Sequence, residues 1–184
     1  RCGEGGATGF AGRSSAVSGE ETRSLQAALW AVCDLIRHQV DARQNGGTDV
    51  SASSHRTDEL DHCFGSLQQA SDAGHRDVED AIWAIWCEHA DPEATAAMIT
   101  GIGSLSRGEL EAARVAFDAL VALHPDWAEV WNKRATVRFL LGDDTGSVED
   151  IEATLTREPR HFGALGGLIQ IALRNGNPDA ALIA

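Results

Sequence analysis

The stretch "WAEVWNKRATVRFLLGD", residues 127–143, reads as a helix that stops at a glycine. Gly108 lies 34 residues before that glycine, Gly142, and Gly176 lies 34 residues after it. Other residue types keep the same step. Pro125 and Pro159 are 34 apart, and so are the apolar pair Phe117 and Ile151. Ala113, Ser147 and Ala181 share the interval and are all small. Trp131 and Leu165, both large, share it too, with Ala97 in the preceding unit. Fixed spacing across several residue types is harder to obtain by chance than a single glycine series, so the period is that of a repeat.

Each recurring position has a physical reason. The glycine frees the turn between two helices from the Cβ penalty. A small residue in the second helix lets it approach the first closely. A large residue in the first helix fills the gap between neighbouring units, and a proline ends one unit because a helix does not continue through it. This period and order of residues resemble the tetratricopeptide-repeat family. The resemblance implies an all-α fold: antiparallel helix pairs stacked into a right-handed superhelix. The units are 94–127, 128–161 and an incomplete 162–184. A narrower resemblance is to bacterial tetratricopeptide proteins that pair a W-N-x-R-A helix with P-R-H-F-G-A-L, here 131–135 and 159–165. It covers roughly 58–184.

Outward from the repeats, Asp91-Pro92 punctuates the chain, with Asp as a cap and Pro at the first helical position. Upstream, Leu60, Cys63, Phe64 and Leu67 form one apolar stripe and Val78, Ala81, Ile82, Ile85 and Trp86 a second. These predict a degenerate helical hairpin within 56–93. Because such repeats need about three units for a continuous core, the hairpin is expected to stack on the first unit as an N-terminal layer. Trp83 and Trp86 would supply much of its buried area. Residues 1–55 hold a glycine-rich tail without periodicity, an amphipathic helix predicted over 19–43 (Leu25, Leu29, Val32, Ile36, Val40) and a linker over 45–58. The short last helix predicts an apolar unit face left uncovered at the C-terminal end.

Composition narrows the function classes. The 184 residues carry 28 acids against 15 bases, a net charge of −13. Residues 56–184 hold 22 of those acids and 10 of those bases. So acidic a surface argues against general binding to nucleic acid or anionic lipid. No apolar run approaches the roughly 20 residues that span a bilayer. The nearest approach to a leader's apolar core, residues 25–36, is interrupted by Asp34. The chain begins at Arg1 and its one methionine is Met98, so it reads as a fragment or processed chain. The compartment stays open: cytoplasm or, with a leader upstream, periplasm.

No constellation for catalysis, cofactor or metal emerges. There is no G-x-S-x-G, no H-E-x-x-H and no phosphate loop, and "GEGGATGFAG" (3–12) has no lysine and follows no strand. The cysteines Cys2, Cys33, Cys63 and Cys87 show no C-x-x-C spacing. His62, Cys63, Cys87 and His89 match no zinc pattern, which leaves Cys63 and Cys87 as small core residues. His161 opens a helix, where hydrogen bonding to free backbone N–H groups is expected.

The family resemblance implies a concave groove lined by the first helix of each unit. By repeat position its residues are Thr95, Met98 and Ile102, then Glu129, Asn132 and Thr136, then Gly163, Gly166 and Gln170. Such a mixed, shallow surface suits an extended peptide or a partner helix. Asn132 offers both donor and acceptor to a peptide backbone, and Met98 an adaptable apolar contact. Some family members clamp a C-terminal carboxylate with Lys, Asn and Arg. Lys133, Arg134 and Arg138 form a basic cluster, but the first unit's groove positions supply no base, so a full clamp is not expected. The expected function is protein–protein interaction with an unidentified protein or peptide, without catalysis. The alternative is a structural role, as a scaffold that holds a larger assembly together or as a chain that self-associates through its uncovered C-terminal end.

Overall fold

The computed structural model describes residues 25, 27–29, 31, 32, 55–69 and 72–183. Between His55 and Ala181 they form α1 (His55–Leu67), α2 (Asp72–Cys87), α3 (Pro92–Ser106), α4 (Leu110–Leu123), α5 (Ala128–Leu141), α6 (Asp144–Arg157), α7 (Phe162–Arg174) and α8 (Pro178–Ala181). No strand occurs among the described residues. The tail, most of the helix expected over 19–43 and residues 45–54 of the expected linker lie outside them. The linker ends earlier than expected: α1 begins at His55, with Asp58 in its first turn, where a negative charge suits the helix dipole.

Local chemistry sets the helix ends. Asp91 accepts a hydrogen bond from the Glu93 N–H at 2.9 Å, and Pro92 takes the first helical position of α3. Asp143 caps α6 through the Gly146 N–H at 2.9 Å. The turn glycines adopt left-handed backbone, with φ of 74° at Gly108, 87° at Gly142 and 67° at Gly176. An L side chain there costs about 1–2 kcal/mol, and this conformation recurring every 34 residues is the repeat seen as geometry.

Packing follows the same period. α3 packs on α4, α5 on α6 and α7 on α8; the first helices of successive units also meet, α3 with α5 and α5 with α7. Within the first unit Gly101 lies against the fully buried Phe117 ring. Within the second, the buried Ser147 hydroxyl donates to the Ala135 carbonyl at 2.8 Å, so the small position also carries a hydrogen bond between helices. Trp131 ties the two units: its indole N–H donates to the Pro125 carbonyl at 2.8 Å, and its ring lies between the Arg134 and Arg157 guanidinium groups at 4.9 and 4.7 Å.

The hairpin sits elsewhere than expected. α1 and α2 pack on each other, but beyond α1 the helix that α2 meets most is α5 of the second unit, not α3 of the first. Leu60, Ile82 and Trp86 form a small core that Phe162 of the third unit joins. Asp61 pairs with Arg160 at 2.5 Å, and Arg160 lies over the Phe64 ring at 4.5 Å. The reason is chemical. The hairpin's aromatic residues find rings and cations at the start of α7, where Arg160, His161 and Phe162 are adjacent.

The last unit is not left bare either. Leu168, Ile171 and Ala172 of α7 are fully buried, and Leu25, Leu29 and Val32, all helical, are buried in the same cluster. The i, i+4, i+7 stripe read near the start of the chain therefore helps close the core at its far end.

Candidate functional site

The first turn of α5 places Glu129 under the hairpin. Its side chain is fully buried and is met from three elements. Lys133, one turn on, reaches one carboxylate oxygen at 2.7 Å, and the Cys87 thiol of α2 donates to the same oxygen at 3.8 Å. Asn132 donates to the other oxygen at 3.1 Å, and His161, just before α7, meets it through Nε2 at 2.7 Å. The His161 Nδ1 accepts the Ala164 N–H at 3.2 Å, capping α7. With that nitrogen accepting, the ring hydrogen sits on Nε2 and points at Glu129. Burial works to raise the Glu129 carboxyl, but the hydrogen bond from His161 and the charge of Lys133 outweigh it and hold the group below the usual carboxylate range.

Two tryptophans roof this network. Trp86 stacks on His161 at 3.9 Å between ring centres, with 11° between planes. The Trp127 indole N–H donates to the Trp86 carbonyl at 2.7 Å, tying α2 to the start of α5. Trp83 meets His161 and Phe162 edge to face, and Lys133 Nζ lies 4.8 Å from its ring centre. It rests on the backbone of Gly163, where an added Cβ would fall within 3.1 Å of the ring's Cζ2 and nearer still to Cη2. Only glycine admits the ring there.

Beside the roofed part lies an open hollow of about 300 Å³ between the first helices of the second and third units. It is lined by Asn132, Thr136, Gly163, Gly166 and Gln170, with Phe139, Ile151 and Ile171 among its apolar walls. A Cβ at Gly166 would meet nothing within 4 Å, so backbone is presented to the hollow there. Thr136 and Gln170 are exposed at it, while Asn132 is buried with its amide committed to Glu129.

The structure thus gathers five of the expected groove residues around one hollow and separates the rest. Glu129 is buried beneath the hairpin with its carboxylate committed to Lys133, Asn132, His161 and Cys87. Met98 is fully buried in the core shared by the first two units, beside Phe117 and Val130. Thr95 is a tie: its hydroxyl accepts the His89 N–H at 2.9 Å, and Ile102 is half-buried against the same core as Met98. The basic cluster is paired. Arg134 binds the buried Asp150 with two hydrogen bonds, at 2.8 and 2.7 Å, which raises its pKa, and Arg138 reaches Asp150 at 3.3 Å. Cys63 packs in the hairpin core and His89 against His124 and Trp127.

Sequence reasoning missed the partnership of Glu129 with His161 and the seat of Trp83. A signal was present. A carboxylate at a first-turn position of one unit, with an imidazole at the start of the next, places both at the same end of neighbouring first helices.

The chain is 34% identical over 133 residues to a TPR repeat-containing protein of Rhizobium etli, which covers 72% of this chain and 65% of that relative. It is 36% identical over 58 residues to tetratricopeptide repeat protein 36 of Danio rerio and of Mus musculus, covering 32% of this chain and 31% of each relative. The match thus spans just under two thirds of the bacterial relative's length and about a third of the vertebrate ones. No protein-family model and no solved structure matches the chain.

Proposed function

The chain belongs to the tetratricopeptide-repeat family, and on that premise we propose that it is a protein-interaction module that takes a peptide segment of its partner in the hollow between the second and third units. The observation that carries this reading is the convergence of Asn132, Thr136, Gly163, Gly166 and Gln170 on that one hollow. Thr136 and Gln170 supply hydrogen-bonding groups at its rim, the glycines supply accessible backbone, and Phe139 and Ile171 supply apolar contact. The hollow holds a short stretch of chain rather than a whole helix. A net charge of −13 favours a protein partner over a nucleic acid. Among the described residues, no helix is long and apolar enough to cross a membrane. The reading assigns the chain binding and no catalysis of its own.

The test is affinity capture from lysate of the source organism with the full chain and with a Gly166→Leu/Thr136→Glu variant. Gly166 has open space at its Cβ and Thr136 is exposed, so both substitutions fill the hollow without disturbing the core. A protein held by the parent and lost by the variant supports the reading. The same proteins on both baits would sink it. Self-association is the second reading, favoured by the exposed Leu173 and Leu182 at the last unit. Capture of the chain by itself, unaffected by the variant, would point there.

A further inference from the structure

We propose that the hairpin α1–α2 is a built-in occupant of the groove, seated by Trp83 over Gly163, and that it swings out as one body to yield this seat to an aromatic side chain of the partner segment. The proposal rests on the groove reading above and adds the partner's chemistry and a means of control.

The seat itself is the first observation. Trp83 lies where the third unit's first groove position leaves bare backbone, so the ring fills a place that any Cβ at Gly163 would close. Lys133 lies over the ring at 4.8 Å, and the His161 and Phe162 rings meet it edge to face, at 5.7 and 5.1 Å between centres. Cation over face and ring against edge are the two geometries that recognise an aromatic side chain rather than any apolar one. The seat borders the open hollow, since Gly163 also lines it. A segment lying in the hollow therefore reaches the seat with its next side chain.

The second observation is how the hairpin is held. A hollow of about 440 Å³ separates Thr57, Leu60 and Trp86 of the hairpin from the turn before α5 and from Arg157 and Glu158. On that side the hairpin and the repeats are therefore parted by a solvent-open cleft rather than close-packed. The contacts that hold the hairpin include Trp83, Trp86 and Phe64 against the start of α7, the Asp61–Arg160 pair, the Cys87 to Glu129 contact and the Trp127 to Trp86 hydrogen bond.

The third observation is what the hairpin covers. Beside the Phe162 ring, its floor holds four polar groups: Glu129, Lys133, Asn132 and His161. On opening these groups regain water, which offsets part of the cost of exposing the rings, whereas a hydrocarbon floor would gain nothing from it. The pivot is defined on the repeat side. The His89 N–H is held by the Thr95 hydroxyl at 2.9 Å, and the Asp91 N–H by His89 Nδ1 at 3.0 Å, so α3 keeps its first turn while the chain before His89 moves.

Amide hydrogen exchange of the full chain tests the hinge. Gly163→Ala blocks the seat, and Gly166→Ala on the same helix serves as control because its Cβ meets nothing. The expected result is exchange at least tenfold faster across 72–87 in Gly163→Ala alone, with α4 and α6 unchanged. No change in 72–87, or loss of protection throughout the chain, overturns the proposal. A labelled peptide of residues 72–87 then tests the seat in trans. It is expected to bind the Trp83→Ala chain at least tenfold more tightly than wild type, and to lose that gain in Trp83→Ala/Gly163→Ala. Equal affinity for the three chains, or binding to none, rejects an aromatic-specific seat. Neither measurement uses the natural partner, so its failure is distinguishable from failure of the hollow in the capture experiment.

Discussion

Replacing Gly101 by alanine tests how closely the two helices of a unit approach. A Cβ built on Gly101 stands 2.8 Å from Phe117 Cε1 and 2.9 Å from Cζ, well inside ordinary contact. Phe117 is fully buried, beside the equally buried Ala113, so its ring has no solvent to retreat into. An alanine in a helix interior normally gains about 0.5–1 kcal/mol over glycine. Overpacking of a close-packed core costs about 1–3 kcal/mol. The net for Gly101→Ala therefore runs from near zero to a loss of about 2.5 kcal/mol. Gly166→Ala on α7 isolates the propensity gain, because nothing lies within 4 Å of its Cβ. The two variants are expected to differ by about 1–3 kcal/mol, the steric cost alone. Urea unfolding of both against wild type reads this directly, and in a chain of this size it corresponds to about 2–4 °C of Tm per kcal/mol. If Gly101→Ala proves as stable as Gly166→Ala, the close approach of α3 and α4 at that point is wrong.

Three further outcomes are expected. Glu129→Gln should lose about 1–3 kcal/mol at pH 7, the scale of hydrogen bonds to a charged group. The Glu129 pKa is held down in the folded chain, so its contribution is full above the unstructured value of 4.5 and fades as pH falls through the lower folded value. The stability gap between wild type and Glu129→Gln should therefore narrow in acid, and an unchanged gap at pH 7 and pH 3.5 would contradict the pairing. Gly142→Ala should lower the free energy of urea unfolding by about 1 kcal/mol, because φ is 87° there while the space is open; no loss would mean that the turn is not left-handed. Leu29→Ala should cost about 2–5 kcal/mol as a core truncation. A loss below about 1 kcal/mol would show that the N-terminal segment does not close the core of the last unit.

The repeat was legible because its period is written in backbone chemistry. Gly108, Gly142 and Gly176 mark left-handed turns, each between the two helices of one unit. Asp91-Pro92 announced the start of α3, and its cap formed as those two residues predict. What was not legible is what lies on each face. Repeat position says which side of a helix Met98 or Glu129 occupies, not what covers it. Met98 disappeared into the core of the first two units, and Glu129 beneath a hairpin distant in sequence. The hairpin's place depends on pairings across 99 residues, as between Asp61 and Arg160, and no local periodicity encodes those. The expected groove positions that do border an open hollow, Thr136, Gly166 and Gln170, lie on first helices away from the hairpin, with Ile151 of α6 as one of the walls.

The central claim is that the hairpin lies in the groove across the second and third units rather than on the end of the first. Nuclear Overhauser contacts of the Trp83 and Trp86 ring protons measure this most directly. The structure predicts contacts from Trp83 to the α-protons of Gly163 and from Trp86 to the His161 ring, whose centres are 3.9 Å apart. Contacts from both tryptophans to α3 alone, with none to residues 161–163, would contradict the account.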